Sequence, residues 1–207
     1  MPQKNHWEKV YSDKPSELLG WYKPRLQTSL TWIKELILDA DDSIIDVGGG
    51  ASTLVDDLLG AGYRSITVLD ISEKALSSVK ARLGKKAELV TWMNGEITSV
   101  DLPARQYRLW HDRAAFHFLT EPDQQRKYRD QLLKALKPGG HVVIGAFAPQ
   151  APPMCSGLPV QRYSHDQLSN TLGAEFELVR HQKERHFTPG GVEQMYLYCH
   201  FLRRVAA

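Results

Sequence analysis

The sequence predicts an α/β fold in which a mainly parallel sheet carries helices on both faces. Three observations carry this expectation. Apolar runs starting at Ile44, Ser65, Glu88, Tyr107 and His141 alternate with stretches of helical period. The first of them breaks into Gly48-Gly49-Gly50 and resumes as Leu54-Val55-Asp56-Asp57-Leu58-Leu59, which reads as strand, tight turn and helix. Near the C-terminus, Phe176 to Phe187 and Gln194 to Leu202 flank Thr188-Pro189-Gly190-Gly191, the signal of an antiparallel hairpin.

The elements follow in order. Residues 6–24 hold Trp7, Tyr11, Trp21 and Tyr22 among charges, either as rings packed on a sheet edge or as a lid over a pocket. Leu26, Leu30, Ile33, Ile37 and Leu38 recur at helical spacing. Gly60-Ala61-Gly62 ends the helix behind the glycine turn, and Ser65 to Asp70 forms the second strand. Ser72 caps a helix that Gly84 stops. Glu88 to Met93 and Tyr107 to Asp112 are the third and fourth strands. A helix from about Asp123 to Leu136 has Pro122 in its first turn. Lys137-Pro138-Gly139-Gly140 stops it, before a fifth strand at His141 to Phe147. Ala148 to Pro159 is too rich in proline for regular structure, and Ser164-His165-Asp166-Gln167 is a capping box.

The 207 residues, 42% hydrophobic, read as one domain over 1–207 with enough apolar mass for a core. A formal net charge of +2 and the lack of a basic cluster argue against a nucleic-acid partner. Cys155 and Cys199 lie far apart and define neither a disulfide framework nor a zinc site, so no metal is expected. No apolar run approaches the ~20 residues that span a bilayer, and the N-terminus is polar, so a cytoplasmic protein without a membrane partner is expected.

The glycine turn points to a nucleotide-like cofactor. Glycines let a ligand approach the backbone, and the following helix aims unpaired N–H groups at it. A dinucleotide fingerprint counted from Gly48 needs a third glycine where Thr53 stands, and so fails. Asp70 ends the next strand, where a carboxylate can accept both hydroxyl protons of a ribose.

Here the sequence resembles the class I S-adenosylmethionine-dependent methyltransferases. Asp46-Val47-Gly48-Gly49-Gly50 is similar to their first motif, and Val68-Leu69-Asp70-Ile71-Ser72 to their ribose-binding strand. Asn94-Gly95-Glu96-Ile97 resembles the turn beside the adenine, Tyr107 to Leu119 the fourth motif, and Leu136 to Gly140 the turn before the fifth strand. The resemblance implies a three-layer Rossmann-like sheet of seven strands, mostly parallel, ending in an antiparallel hairpin, with S-adenosyl-L-methionine as cofactor. It further implies that Asp46, Gly48, Gly49 and Gly50 hold the methionine part and Asp70 the ribose. Ile71, Glu96 and Ile97 would then meet the adenine, with His111 and Asp112 completing the cofactor site. Plainer readings stay open beside these: Asp46 as a turn cap and Glu96 as a solvated loop acid.

Methyl transfer needs an oriented nucleophile, and the segment after the fourth strand should supply that site. Trp110-His111-Asp112-Arg113 resembles the corresponding turn of the thiopurine and thiol methyltransferases. Arg113 would attract a thiolate or an acidic acceptor, and His117 would act as base or hydrogen-bond partner. Their bland alternatives are a structural ion pair and a packed core histidine. Trp7, Tyr11, Trp21, Tyr22, Phe116 and Phe147 would wall the acceptor pocket, with residues 1–24 as a lid and 148–163 as a covering loop that carries Cys155. The expected reaction is methylation of a small molecule, leaning to a sulfur nucleophile. Alternatives are a protein-lysine methyltransferase, O- or N-methylation of another metabolite, and a cofactor-binding module without catalysis. The oligomeric state is not legible in the sequence.

Overall fold

The computed structural model describes residues 2–205. Helix α1 (Pro2–Asp13) and helix α2 (Gln27–Glu35) precede strand β1 (Ile44–Val47), α3 (Leu54–Gly60), β2 (Ile66–Asp70), α4 (Glu73–Leu83) and β3 (Val90–Asn94). Then come β4 (Tyr107–Arg113), α5 (Pro122–Ala135) and β5 (Leu136–Phe147). The chain closes with β6 (Met154–Cys155), β7 (Leu158–Pro159), α6 (His165–Leu172), β8 (Phe176–Phe187) and β9 (Glu193–Arg203).

Seven strands form one sheet in the order β3-β2-β1-β4-β5-β9-β8. The strands from β3 to β5 run parallel, and β9 is antiparallel to both β5 and β8. From β1 the chain moves outward through β2 and β3, then returns to the other side of β1 at β4. This reversal opens a crevice at the carboxyl ends of β1 and β4, where open α/β sheets bind ligands.

Helices cover both faces, so β1 and β2 are buried along their full length. Alternate residues serve two cores. Ile45, Val47 and Trp110 pack with Tyr128 and Leu132 of α5 on one face. Ile44, Val68 and Leu109 pack with Ile33, Leu58 and Val79 on the other. A one-residue slip would exchange the two sets, so the hydrophobic pattern fixes the register.

The structure departs from the sequence expectation at four points. The N-terminal aromatic segment contains a full helix, α1. Helix α2 ends at Glu35, and Ile37, with φ 50°, is 89% exposed instead of facing the core. Strand β5 begins at Leu136 and absorbs Lys137 to Gly140. The β4–β5 register shifts between Tyr107 and Leu109, and that irregularity accommodates a proline that cannot donate to the ladder. Within 148–159, β6 and β7 form a small hairpin whose turn residues Ser156 and Gly157 both have positive φ, 51° and 78°, as a two-residue hairpin turn requires.

Candidate active site

The crevice is built first from β1. Asp46 lies beside His111 in the β1–β4 register, and its Oδ1 is 2.7 Å from His111 Nδ1. His111 Nε2 lies 2.9 Å from Ser29 Oγ on α2. Both ring nitrogens are thus spent, and the imidazole fixes the rotation of the carboxylate. The second oxygen, Asp46 Oδ2, is buried with no partner. A buried unpaired carboxylate oxygen is costly, and an ammonium or N–H donor would satisfy it.

The glycine turn closes around this oxygen. Gly48 has φ 65° and abuts Ala115 after β4, and a Cβ on Gly49 would stand 2.7 Å from Asp46 Oδ2. At Gly50 a Cβ would stand 2.6 Å from Tyr11 Oη and 2.7 Å from Asp70 Oδ2. Side chains here would collide with the protein's own atoms, so only glycines fit this turn.

Asp70 ends β2 with a buried carboxylate. The Ser72 amide donates to its Oδ1 at 2.8 Å. Burial pushes the Asp70 pKa up to about 7 against the pull of the Ser72 and Gly50 amides, and the negative charges of Asp46 and Glu8 add to the rise. Ile71, Glu96 and Ile97 line the same cavity on the β2–β3 side. Asn94 Nδ2 donates to the Asp70 and Ile71 carbonyls at 3.1 and 3.0 Å and so holds that rim.

The rest of the cavity lining is aromatic and cationic, and its Tyr11 hydroxyl stands next to Asp70 at the glycine turn. Trp7, Tyr11 and Trp21 reach into the cavity from the N-terminal segment, and Phe118, Arg113 and Cys155 line it as well. Trp7 stacks edge-on against Trp21 and Phe118, with centroids 5.5 and 4.9 Å away. Arg113 is only 8% exposed. Its Nε donates to Tyr198 Oη at 3.0 Å, its Nη1 donates to the Trp21 carbonyl at 2.8 Å, and its guanidinium lies 4.5 Å above the Tyr196 ring. Burial pulls the Arg113 pKa down, but Tyr198, Tyr196 and Glu184 outweigh it and keep the group charged. Arg113 Nη2 is buried without a partner. Arg113 also lines a smaller adjoining cavity with Asp46, His111, Tyr22 and Lys23.

The N-terminal segment is tied down at both ends. Glu8 of α1 accepts from the Glu73 amide at 2.8 Å and from Ser72 Oγ at 3.2 Å, capping α4. Past α1, Lys23 is ion-paired with Glu184 on β8.

Several expected site residues lie elsewhere. Phe116 and Phe147 are buried in the two cores, and neither lines the cavity. Asp112 accepts from the Ala115 and Phe116 amides, both at 3.1 Å, and from Tyr128 Oη at 2.9 Å. It shapes the loop after β4 and is committed to the protein itself. His117 is fully buried outside the cavity lining. Its Nδ1 accepts from the Phe147 amide at 3.2 Å, and burial, aided by nearby Arg113, pushes its pKa down to about 3. A base cannot act from there, so the structure speaks against the catalytic reading of His117 and for the packed one. The sequence analysis missed Tyr196 and Tyr198, which seat Arg113 from a strand far away in the chain, and Glu8, whose role shows no local motif.

Comparison with known proteins agrees with this geometry. Residues 44–140 match the family model described as a methyltransferase domain. The eEF1A lysine and N-terminal methyltransferase of Bos taurus is 22% identical over 139 residues, 67% of this chain and 20% of that protein. The Drosophila melanogaster homolog is 23% identical over 147 residues, 68% of this chain and 22% of that protein. The chain thus spans about a fifth of the length of these curated relatives. Among solved structures, an S-adenosylmethionine-dependent methyltransferase from Anabaena variabilis superposes with a TM-score of 0.75 at 13% identity, covering 99% of this chain and 96% of that one. The Burkholderia thailandensis 1,6-didemethyltoxoflavin-N1-methyltransferase, solved with S-adenosylhomocysteine, gives 0.74 at 20% identity, covering 98% and 88%. The orphaned Asp46 oxygen, the glycine cradle and the acid ending β2 suit an amino group and a ribose, and S-adenosylmethionine carries both. Fold, family model and cradle agree on an S-adenosylmethionine-dependent methyltransferase domain, with the family model matching residues 44–140.

Proposed function

We propose that this protein transfers the methyl group of S-adenosylmethionine to a small acceptor that reacts as an anion, a thiolate above all. The observation that carries this reading is the unpartnered Nη2 of Arg113 in a buried, aromatic-walled end of the cavity.

The proposed roles follow from position. Asp46 Oδ2 receives the amino group, and the turn at Gly48 to Gly50 gives the methionyl chain room. Asp70 accepts from the ribose hydroxyls, Ile71 and Ile97 flank the adenine, and Glu96 stands at its edge. The bound cofactor supplies an electrophilic methyl group on a sulfonium. The chain's own residues then exclude water, orient the acceptor and favour its charged form.

The choice of acceptor rests on acidity. The carboxylates lining the main cavity, Asp70 and Glu96, stand on the ribose and adenine side. His117 stays neutral and outside. A thiol of ordinary pKa ~8.5 ionises without a base, and a guanidinium beside it lowers that value further. A lysine amine, with pKa ~10.4, would have to lose its proton beside a cation. The Trp110 to Arg113 resemblance to thiol methyltransferases points the same way.

The curated relatives are named for lysine and N-terminal methylation, and this favours a second reading in which a protein amine is the acceptor. Incubation with labelled S-adenosylmethionine separates the two. The expected result is label on small thiols in preference to amines and carboxylates of similar size. Label confined to amines, or to protein bands in a lysate, would sink the thiolate reading.

A further inference from the structure

We propose that Cys155 determines acceptor specificity by setting how large a group can sit against Arg113. The inference rests on the methyl-transfer reading of the cavity and adds a residue that decides which anions are compact enough to react.

The β6–β7 hairpin turns this side chain inward. Cys155 is 4% exposed and lines the cavity, whereas Met154 before it is 48% exposed. Cys155 pairs with Leu158, and the positive-φ turn at Ser156 and Gly157 fixes that register, so the two neighbours cannot trade faces. Arg113 and Cys155 line the same cavity, and burial pushes the Cys155 pKa up to about 11 while Ser156 and the Arg113 charge pull against that rise. Arg113 itself is fixed by Tyr198 and the Trp21 carbonyl and offers only its free Nη2. An anion seated on that nitrogen therefore has the thiol and the Trp7–Trp21–Phe118 cluster for walls. The aromatic rings brace one another, and Cys155 joins Ala114 and Ala115 as the small side chains among them. The ligand class is a compact monoanion, a thiolate with a short substituent.

Reversible capping tests this in a Cys199→Ser background, which removes the other free thiol, buried on β9. With methyl methanethiosulfonate, the Cys155 thiolate attacks the sulfenyl sulfur and forms a disulfide. Methanesulfinate leaves with the bonding pair, and the thiol proton passes to buffer. Capping should leave S-adenosylmethionine affinity within about twofold but lower turnover of the best acceptor about tenfold or more, with dithiothreitol restoring it. Cys155→Ala should raise kcat/KM for a bulky acceptor over a compact one by about tenfold, the discrimination that one or two heavy atoms give in a closed pocket. Unchanged turnover after capping, an equal loss of cofactor affinity, or an unchanged acceptor ratio in Cys155→Ala would each overturn the proposal.

The acceptor panel includes amines and carboxylates. If only amines react, the thiolate reading falls, and size selection by Cys155 is read on the amines. Capping kinetics need no acceptor at all: Arg113→Met should slow cap formation about threefold or more, because the thiolate loses its cation. Equal capping rates in a folded Arg113→Met protein would overturn the juxtaposition.

Discussion

Asp70 ends β2 with its carboxylate buried, and that burial, more than its neighbours, pushes its pKa up to about 7. In the proposed role the carboxylate accepts ribose hydroxyl protons, so the charged form is the one that binds. The sign follows: below about pH 7 the free protein holds a proton that binding must expel. Cofactor affinity should therefore fall by up to about tenfold per pH unit below 7 and level off above it. Calorimetry across that range checks this, and a flat profile would remove the ribose assignment. His117 gives the opposite forecast. A neutral imidazole that accepts the Phe147 amide contributes packing and one buried hydrogen bond. His117→Gln should lower stability by about 1–3 kcal/mol in a denaturant titration and leave the shape of the pH–rate profile unchanged. These two residues also mark what the sequence reveals. Asp70 was legible because its place at a strand end, after a glycine turn, constrains what it can do. His117 was not, because a histidine between two phenylalanines reads alike in a core and in a pocket, and only the partner of Nδ1 decides.

At the level of elements, α1 lines the cavity with Trp7 and Tyr11, and its hold is specific. Glu8 caps the amide groups that begin α4, so the lid docks on a helix that follows directly from the Asp70 strand. A carboxylate at a helix N-terminus stabilises by about 0.5–2 kcal/mol. Glu8→Ala should therefore speed hydrogen exchange in residues 2–13 and raise the cofactor dissociation rate several-fold, while protection in β1 and β4 stays unchanged. Exchange that rises equally in the central strands would mean that Glu8 supports the fold and not the lid. The central strands and their helices were readable from apolar runs and caps such as Ser72. The lid helix was not, because its aromatic residues are spread among charges and its order depends on α4. The β6–β7 hairpin hid for a similar reason: two-residue strands carry no periodicity, and four prolines within Ala148 to Pro159 suggested irregular chain.

Across the whole molecule, the sheet order brings together groups that are distant in sequence. Asp46 and Arg113 stand at the ends of neighbouring strands, each with one buried polar atom that lacks a partner, and both residues line the smaller cavity. Between them run His111, Ser29 beside the Tyr198 hydroxyl, and Tyr198 itself. Buried polar groups of β1, β4, α2 and β9 thus meet between the two residues, which in the proposed reading hold the amino group and the acceptor. If the cofactor bridges elements on both sides of the crevice, as proposed, S-adenosylhomocysteine at a hundred times its dissociation constant should add about 2.7 kcal/mol of stability and raise Tm by roughly 5–11 °C. A Tm unmoved by saturating ligand would contradict the cradle. The most direct test of the central claim is the pH dependence of kcat/KM for a series of small thiols of different acidity. If the acceptor ionises by itself and Arg113 receives it as an anion, the midpoint moves with the pKa of each thiol and the limiting rate collapses in Arg113→Met. A single midpoint shared by every thiol would reveal a protein base and contradict the account.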